Sequence, residues 1–115
     1  MIATKRVYET PDPQDGYRVL VDRLWPRGVK KAALKCDEWC KAIAPSDELR
    51  KAFHAEAIDF SAFSEAYRRE LEASPEAARR LAALSRTQRL TLLYAARDTT
   101  QNHAQVLADF LRELA

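Results

Sequence analysis

The sequence predicts an α/β fold with a mostly parallel sheet, on two observations. The apolar runs Val19-Leu20-Val21 and Leu90 to Ala96 (LTLLYAA) are continuous rather than alternating, as in strands covered on both faces. Between them lie segments whose apolar residues recur at helical spacing. The expectation is a sheet of three to four strands, near 2–8, 17–24 and 90–96, with helices near 46–54, 59–72, 75–86 and 102–114 on both of its faces. A chain of 115 residues makes this one domain, residues 1–115.

Residues Ile2 to Tyr8 alternate like a half-exposed strand, with Ile2, Thr4 and Arg6 on one face and Ala3, Lys5 and Val7 on the other. Pro11, Pro13 and Asp15-Gly16 mark a loop and turn. Tyr17 to Leu24 reads as the second strand, ended by Pro26-Arg27-Gly28, which cannot continue a central strand. The segment 36–43 stays open: Trp39 and Ile43 fall at helical spacing, yet a short strand fits equally well. Ser46 reads as an N-cap with Asp47 and Glu48 in the first turn of a helix to His54. Phe60, Phe63, Tyr67 and Leu71 form the apolar stripe of the next helix. Ser74-Pro75-Glu76 starts a third, presenting Ala77, Leu81 and Leu84. The last helix buries Val106, Leu107, Phe110 and Leu114.

Apolar residues make up 47% of the chain and charged residues 31%, an ordinary globular composition. The net charge of +2 is too small to imply nucleic-acid binding by itself. No apolar run approaches the roughly 20 residues that span a bilayer. The start MIATKRVYET lacks the apolar core of a secretory signal. The expectation is a cytoplasmic protein without membrane contact.

Two segments carry candidate chemistry, both at expected strand ends, where open parallel sheets bind ligands. The first is Asp22-Arg23-Leu24-Trp25-Pro26-Arg27-Gly28. Arg23 and Arg27 suit a carboxylate or phosphate, and Gly28, one of only two glycines, suggests a positive φ or a closely approaching ligand. The structural alternative is an ion pair between Asp22 and an arginine, with Trp25 capping the core. The second is Tyr94 to His103, in which small residues precede the polar loop Arg97-Asp98-Thr99-Thr100-Gln101-Asn102. Asn102 as N-cap would place His103 in the first turn, where the helix dipole favours neutral imidazole, the form a general base needs. Asp98 is the expected partner fixing its tautomer. Cys36-x3-Cys40 lacks the pairing of structural zinc sites, so no metal site is expected. Nucleotide-loop, hydrolase-elbow and metalloprotease motifs are absent.

The strings VDRLWPRG (Val21 to Gly28), Trp39 with Ala44-Pro45-Ser46, ELRKAF (Glu48 to Phe53), FSEAYRREL (Phe63 to Leu71) and LLYAARDTTQNHA (Leu92 to Ala104) resemble the YeaO-like family of bacterial proteins, a domain-of-unknown-function family. The resemblance spans nearly the whole chain. It implies a compact α/β fold and no defined activity, cofactor or substrate. More distant relatives resemble the chain in an aspartate-arginine pair at one strand end and a cysteine-bearing stretch ending Cys-His-Arg at another. Here the Cys-His pair corresponds to Asn102-His103, so thiol chemistry of that kind would lack its nucleophile.

The expected function is binding of a small anionic ligand, such as a phosphate ester, nucleotide or carboxylate. Arg23, Trp25, Arg27, Gly28, Tyr94, Arg97 and Asn102 are the binding candidates, and His103, Asp98 and Asp22 the acid/base candidates. The alternative is a non-enzymatic module contacting a protein or nucleic acid through Lys30, Lys31, Lys35, Lys41, Arg50 and Lys51, with Trp25 and Trp39 for stacking. The interleaved Asp37, Glu38, Asp47 and Glu48 favour a solvated mixed-charge face instead.

Overall fold

The structure, a computed structural model, describes every residue from Met1 to Ala115. Strands β1 (Ile2–Arg6), β2 (Tyr17–Leu20), β3 (Glu38–Trp39) and β4 (Leu90–Tyr94) form one all-parallel sheet in the order β1-β4-β2-β3. The helices are a single turn, α1 (Lys31–Leu34), and four longer ones: α2 (Asp47–His54), α3 (Phe60–Ala73), α4 (Glu76–Thr87) and α5 (His103–Leu114). The α/β class, the parallel sheet and the four long helices agree with the sequence. No helix is long and apolar enough to cross a membrane.

Several boundaries differ for identifiable reasons. The open segment 36–43 holds both alternatives, since β3 pairs with β2 and a 3-10 turn, Lys41–Ile43, follows at once. Ser46 caps α2 by accepting from the Leu49 amide, and Asp59 caps α3 by accepting from Ala62. Ser74 does not cap α4; its amide donates to the Glu70 carbonyl and closes α3. Leu114 is 36% exposed, and Leu111, one turn earlier, is buried in its place.

The two faces of the sheet are covered differently, which corrects the expectation of helices on both. Val19, Val21, Leu90, Leu92 and Tyr94 point into the large core, where Phe63, Tyr67, Leu81, Leu107 and Leu111 of α3, α4 and α5 meet them. Leu20 and Leu93 point the other way into a small cluster with Val7 and Leu34, closed by Trp25, Val29, Cys36, Trp39 and Ala95. Loops and the single turn α1 cover that second face. Consecutive strand residues face opposite sides, so a run apolar at every position is the signature of this arrangement.

A buried charge cluster holds the loop cover in place. The Asp15 carboxylate accepts from Lys5 Nζ (3.2 Å), from the Arg18 guanidinium (2.5 Å) and from the Asp12 amide (3.0 Å). Arg18 also donates to the carbonyls of Leu34 (2.7 Å) and Lys35 (3.1 Å), tying α1 to β2. The Asp15 carbonyl accepts from the Thr91 hydroxyl of β4 (2.6 Å). Gly16 makes the return possible: at φ +68°, an added Cβ would lie 2.3 Å from the Arg89 carbonyl oxygen. Burial alone would raise the Asp15 carboxyl, but the Asp12 amide, Lys5 and Arg18 outweigh it and hold it below the usual aspartate value.

A carboxyl with a depressed folded-state pKa contributes stability above its unfolded value and loses it as pH falls through the folded one. Asp15→Asn should therefore cost roughly 3–5 kcal/mol at pH 7, because Arg18 stays buried without its counter-charge. In urea melts across pH, the gap from the parent should narrow below about pH 4. A gap constant with pH would show that the charge of Asp15 is not what matters.

Candidate functional site

Both candidate segments converge at the carboxyl ends of β2 and β4. The Val21 amide donates to the Leu93 carbonyl (3.0 Å), so a regular parallel ladder would next send the Ala95 amide to the Val21 carbonyl. That rung is absent. The Ala95 amide donates to Asp22 Oδ2 (3.0 Å), and His103 Nε2 lies 3.1 Å from the Val21 carbonyl oxygen and 2.9 Å from Asp22 Oδ1. The Asp22 carbonyl in turn accepts from the Trp39 indole (2.7 Å). An aspartate-histidine pair thus fills the opening where the two strands part.

Two acceptor oxygens and no donor surround His103 Nε2, so that nitrogen carries the hydrogen. Nδ1 has no partner within the chain. The hydrogen is aligned on Val21, which leaves Asp22 Oδ1 a buried oxygen without an aligned donor. Asn102, buried, fixes the position of His103 by capping α5: its side chain accepts from the Gln105 amide and donates to the Asp98 carbonyl.

The other expected roles change. Asp98 does not meet His103; its carboxylate accepts from the Thr100 and Gln101 amides and the Thr100 hydroxyl, and these bonds hold it below the usual value. Asp22 and Arg23 are not an ion pair, since Arg23 Nε reaches the Pro45 carbonyl (3.3 Å) and Asp47 (3.7 Å). Gly28 has the positive φ expected of it, +77°, and open space where a Cβ would stand. Tyr94 is buried in the large core and is not among the residues that line the cleft. Trp25 donates to the Val29 carbonyl (2.6 Å) and meets Trp39 edge-on.

Asp22 and His103 lie in a cleft of about 690 Å³. Four arginines line it, Arg23, Arg27, Arg50 and Arg97, against two carboxylates, Asp22 and Asp98. Arg27 and Arg97 form no ion pair. Arg50 Nε is buried without a partner, although its Nη2 lies 3.4 Å from Asp47. Of the α2 residues in the lining, Arg50 enters the sequence reading only within the basic stretch, and Phe53 and His54 carry no ligand-binding expectation there. Their i, i+3, i+4 spacing, which puts all three on one helix face, is the signal that could have found them.

Outside the cleft, Glu38 is bound by Arg80 and the Tyr17 hydroxyl, and Asp37 accepts from the Arg18 amide. Asp37 and Glu38, with Asp47 beside Arg23 and Arg50, are therefore used in local structure. No three His, Cys, Asp or Glu side chains converge as a metal-holding group. Burial pushes the thiols of Cys36 and Cys40 above their ordinary value, which favours the protonated form.

Residues 1–115 match a protein family described as the inactive DUF488-N3 subclade. The chain is 58% identical to the uncharacterized protein YeaO of Escherichia coli (strain K12) over 113 residues, 98% of each chain. It is 42% identical over 110 residues to the uncharacterized proteins Mb3100c of Mycobacterium bovis and Rv3073c of Mycobacterium tuberculosis, 96% of this chain and 92% of theirs. No solved structure matches the chain.

Asp22→Ala should leave the Ala95 amide unsatisfied and His103 unsupported, at a cost of roughly 1–3 kcal/mol in urea denaturation. Asp22→Asn keeps an acceptor for the amide and should cost less. Nitrogen-15 spectra of neutral His103 should show hydrogen on Nε2; a predominant Nδ1–H form would contradict the geometry.

Proposed function

The chain belongs to the family of the inactive DUF488-N3 subclade, and we propose that its cleft binds a small anionic molecule, a phosphate ester, nucleotide or carboxylate, without covalent turnover. One observation carries this reading: the carboxylates of the cleft are engaged internally while two of its guanidiniums are not. Asp22 accepts from the Ala95 amide through Oδ2 and has the His103 imidazole 2.9 Å from its Oδ1, and Asp98 is engaged by the amides of its own loop. Arg27 and Arg97 have no carboxylate partner, so the cleft offers a net positive lining to an incoming anion. Guanidiniums suit this task because their planar donor forks match carboxylate and phosphate oxygens. The cleft also sits beyond the carboxyl ends of a parallel sheet, the usual ligand position in such folds.

Binding without covalent turnover is favoured because no cysteine, serine or threonine is among the lining residues. The position that would precede the histidine in a Cys-His pair is Asn102, which is buried and occupied as a helix cap. His103 donates Nε2–H inward to the strand end, which makes it a support for the floor of the cleft before anything else. The family description as an inactive subclade is consistent with this reading.

A thermal-shift series with phosphate, simple carboxylates and nucleotides tests it. An anion at 100 times its Kd should stabilise the protein by about 2.7 kcal/mol, a rise of several degrees for a domain of this size. Arg27→Ala and Arg97→Ala, both exposed, should leave the unliganded melting temperature nearly unchanged and remove most of the shift. An undiminished shift in the double variant, or no shift with any anion in the parent, would overturn the reading.

A further inference from the structure

We infer that the ligand is an aromatic ring bearing the anionic group, so that the cleft holds an apolar subsite beside its cationic one; this rests on the anion-binding reading and narrows it. The argument starts from exposed apolar side chains. Apart from Met1 and Leu114 near the chain ends, the large apolar residues left exposed are Tyr8 (50%) and Leu24 (64%), and both line the cleft. Neither packs into either hydrophobic cluster, so neither is placed there by the needs of the core. Single exposed apolar residues are ordinary on a surface, but two converging on one cleft are informative.

Two contacts position Tyr8. Its hydroxyl donates to the Arg27 carbonyl (3.0 Å), and the Arg6 guanidinium lies 4.8 Å from its ring centroid. The ring is thereby fixed beside the backbone that carries Arg27, while Leu24 stands three residues earlier on the same loop. Phe53, half-buried, stacks on Phe63 and extends the apolar lining from α2. The cationic and apolar subsites therefore line one cleft, within reach of one small molecule. The size agrees: about 690 Å³ falls in the range of sites for whole organic ligands rather than bare ions. A flat ring suits both linings, because apolar side chains gain from its burial and guanidiniums stack on its faces.

Calorimetric titration with inorganic phosphate, methyl phosphate and phenyl phosphate separates the two ideas. Phenyl phosphate should bind at least about tenfold more tightly than methyl phosphate, the scale of one added apolar contact in a pocket. Leu24→Ser, at an exposed position that folding does not depend on, should cut that advantage to less than about threefold while circular dichroism stays that of the parent. If methyl and phenyl phosphate bind equally, or Leu24→Ser leaves the advantage intact, the aromatic subsite is wrong and anion binding stands. If none of the three binds, this inference fails, and the anion reading is decided by the carboxylate and nucleotide arms of the thermal-shift series.

Discussion

The aspartate-histidine pair at the open end of the sheet is the interaction on which the cleft depends. Where β2 and β4 part, one backbone rung is replaced by side chains: Asp22 takes the Ala95 amide, and His103 takes the Val21 carbonyl. Three elements are fixed at once, because Asp22 follows β2, Ala95 follows β4 and His103 opens α5. Buried backbone groups left unpaired are costly, so the strands could not separate here without such substitutes. Their separation creates the space that the arginines surround. Pairing Asp22 with His103 instead of with Arg23 also leaves Arg23 to reach Pro45 and Asp47 at the start of α2, which brings the other wall of the cleft into place.

This opening is affordable because the rest of the sheet is held from both sides. The large core under α3, α4 and α5 anchors one face through residues that are almost fully buried. The loop face has little apolar surface to contribute, and a hydrogen-bonded charge cluster around Asp15 and Arg18 takes over the task of fixing it. Rigid support behind a polar opening is the usual condition for a pre-formed small-molecule site.

Much of this was legible in the sequence. The unbroken apolar runs at Val19 and at Leu90 gave the buried parallel strands, and the caps Ser46 and Asn102 were identifiable from residue type and position. The convergence of Asp22 to Arg27 with Arg97 to His103 followed from the general rule for ligands at the strand ends of parallel sheets. What sequence could not supply was pairing. Asp98 lies five residues from His103 and looked like its partner, yet a carboxylate that close to two loop amides is taken by them. Asp22, 81 positions away, meets the imidazole only because β2 and β4 are neighbours. The cover of the second face was hidden for a related reason: α1 is a single turn, and Arg18 inside an apolar strand gives no local sign of the carbonyls it will bind.

The role of Arg27 in the cleft has a similar origin. Its signal was composition alone, two arginines flanking a Trp-Pro turn, and its freedom from carboxylate partners emerges only when every acidic group nearby is accounted for. The most direct measurement is an amide and indole NMR map of the protein titrated with phenyl phosphate. Saturable shifts confined to Tyr8, Asp22–Gly28, Arg50–His54 and Ala95–His103, with the Trp25 indole among them, are the predicted result. Saturable shifts centred elsewhere, or none up to millimolar ligand, would contradict the assignment of this cleft.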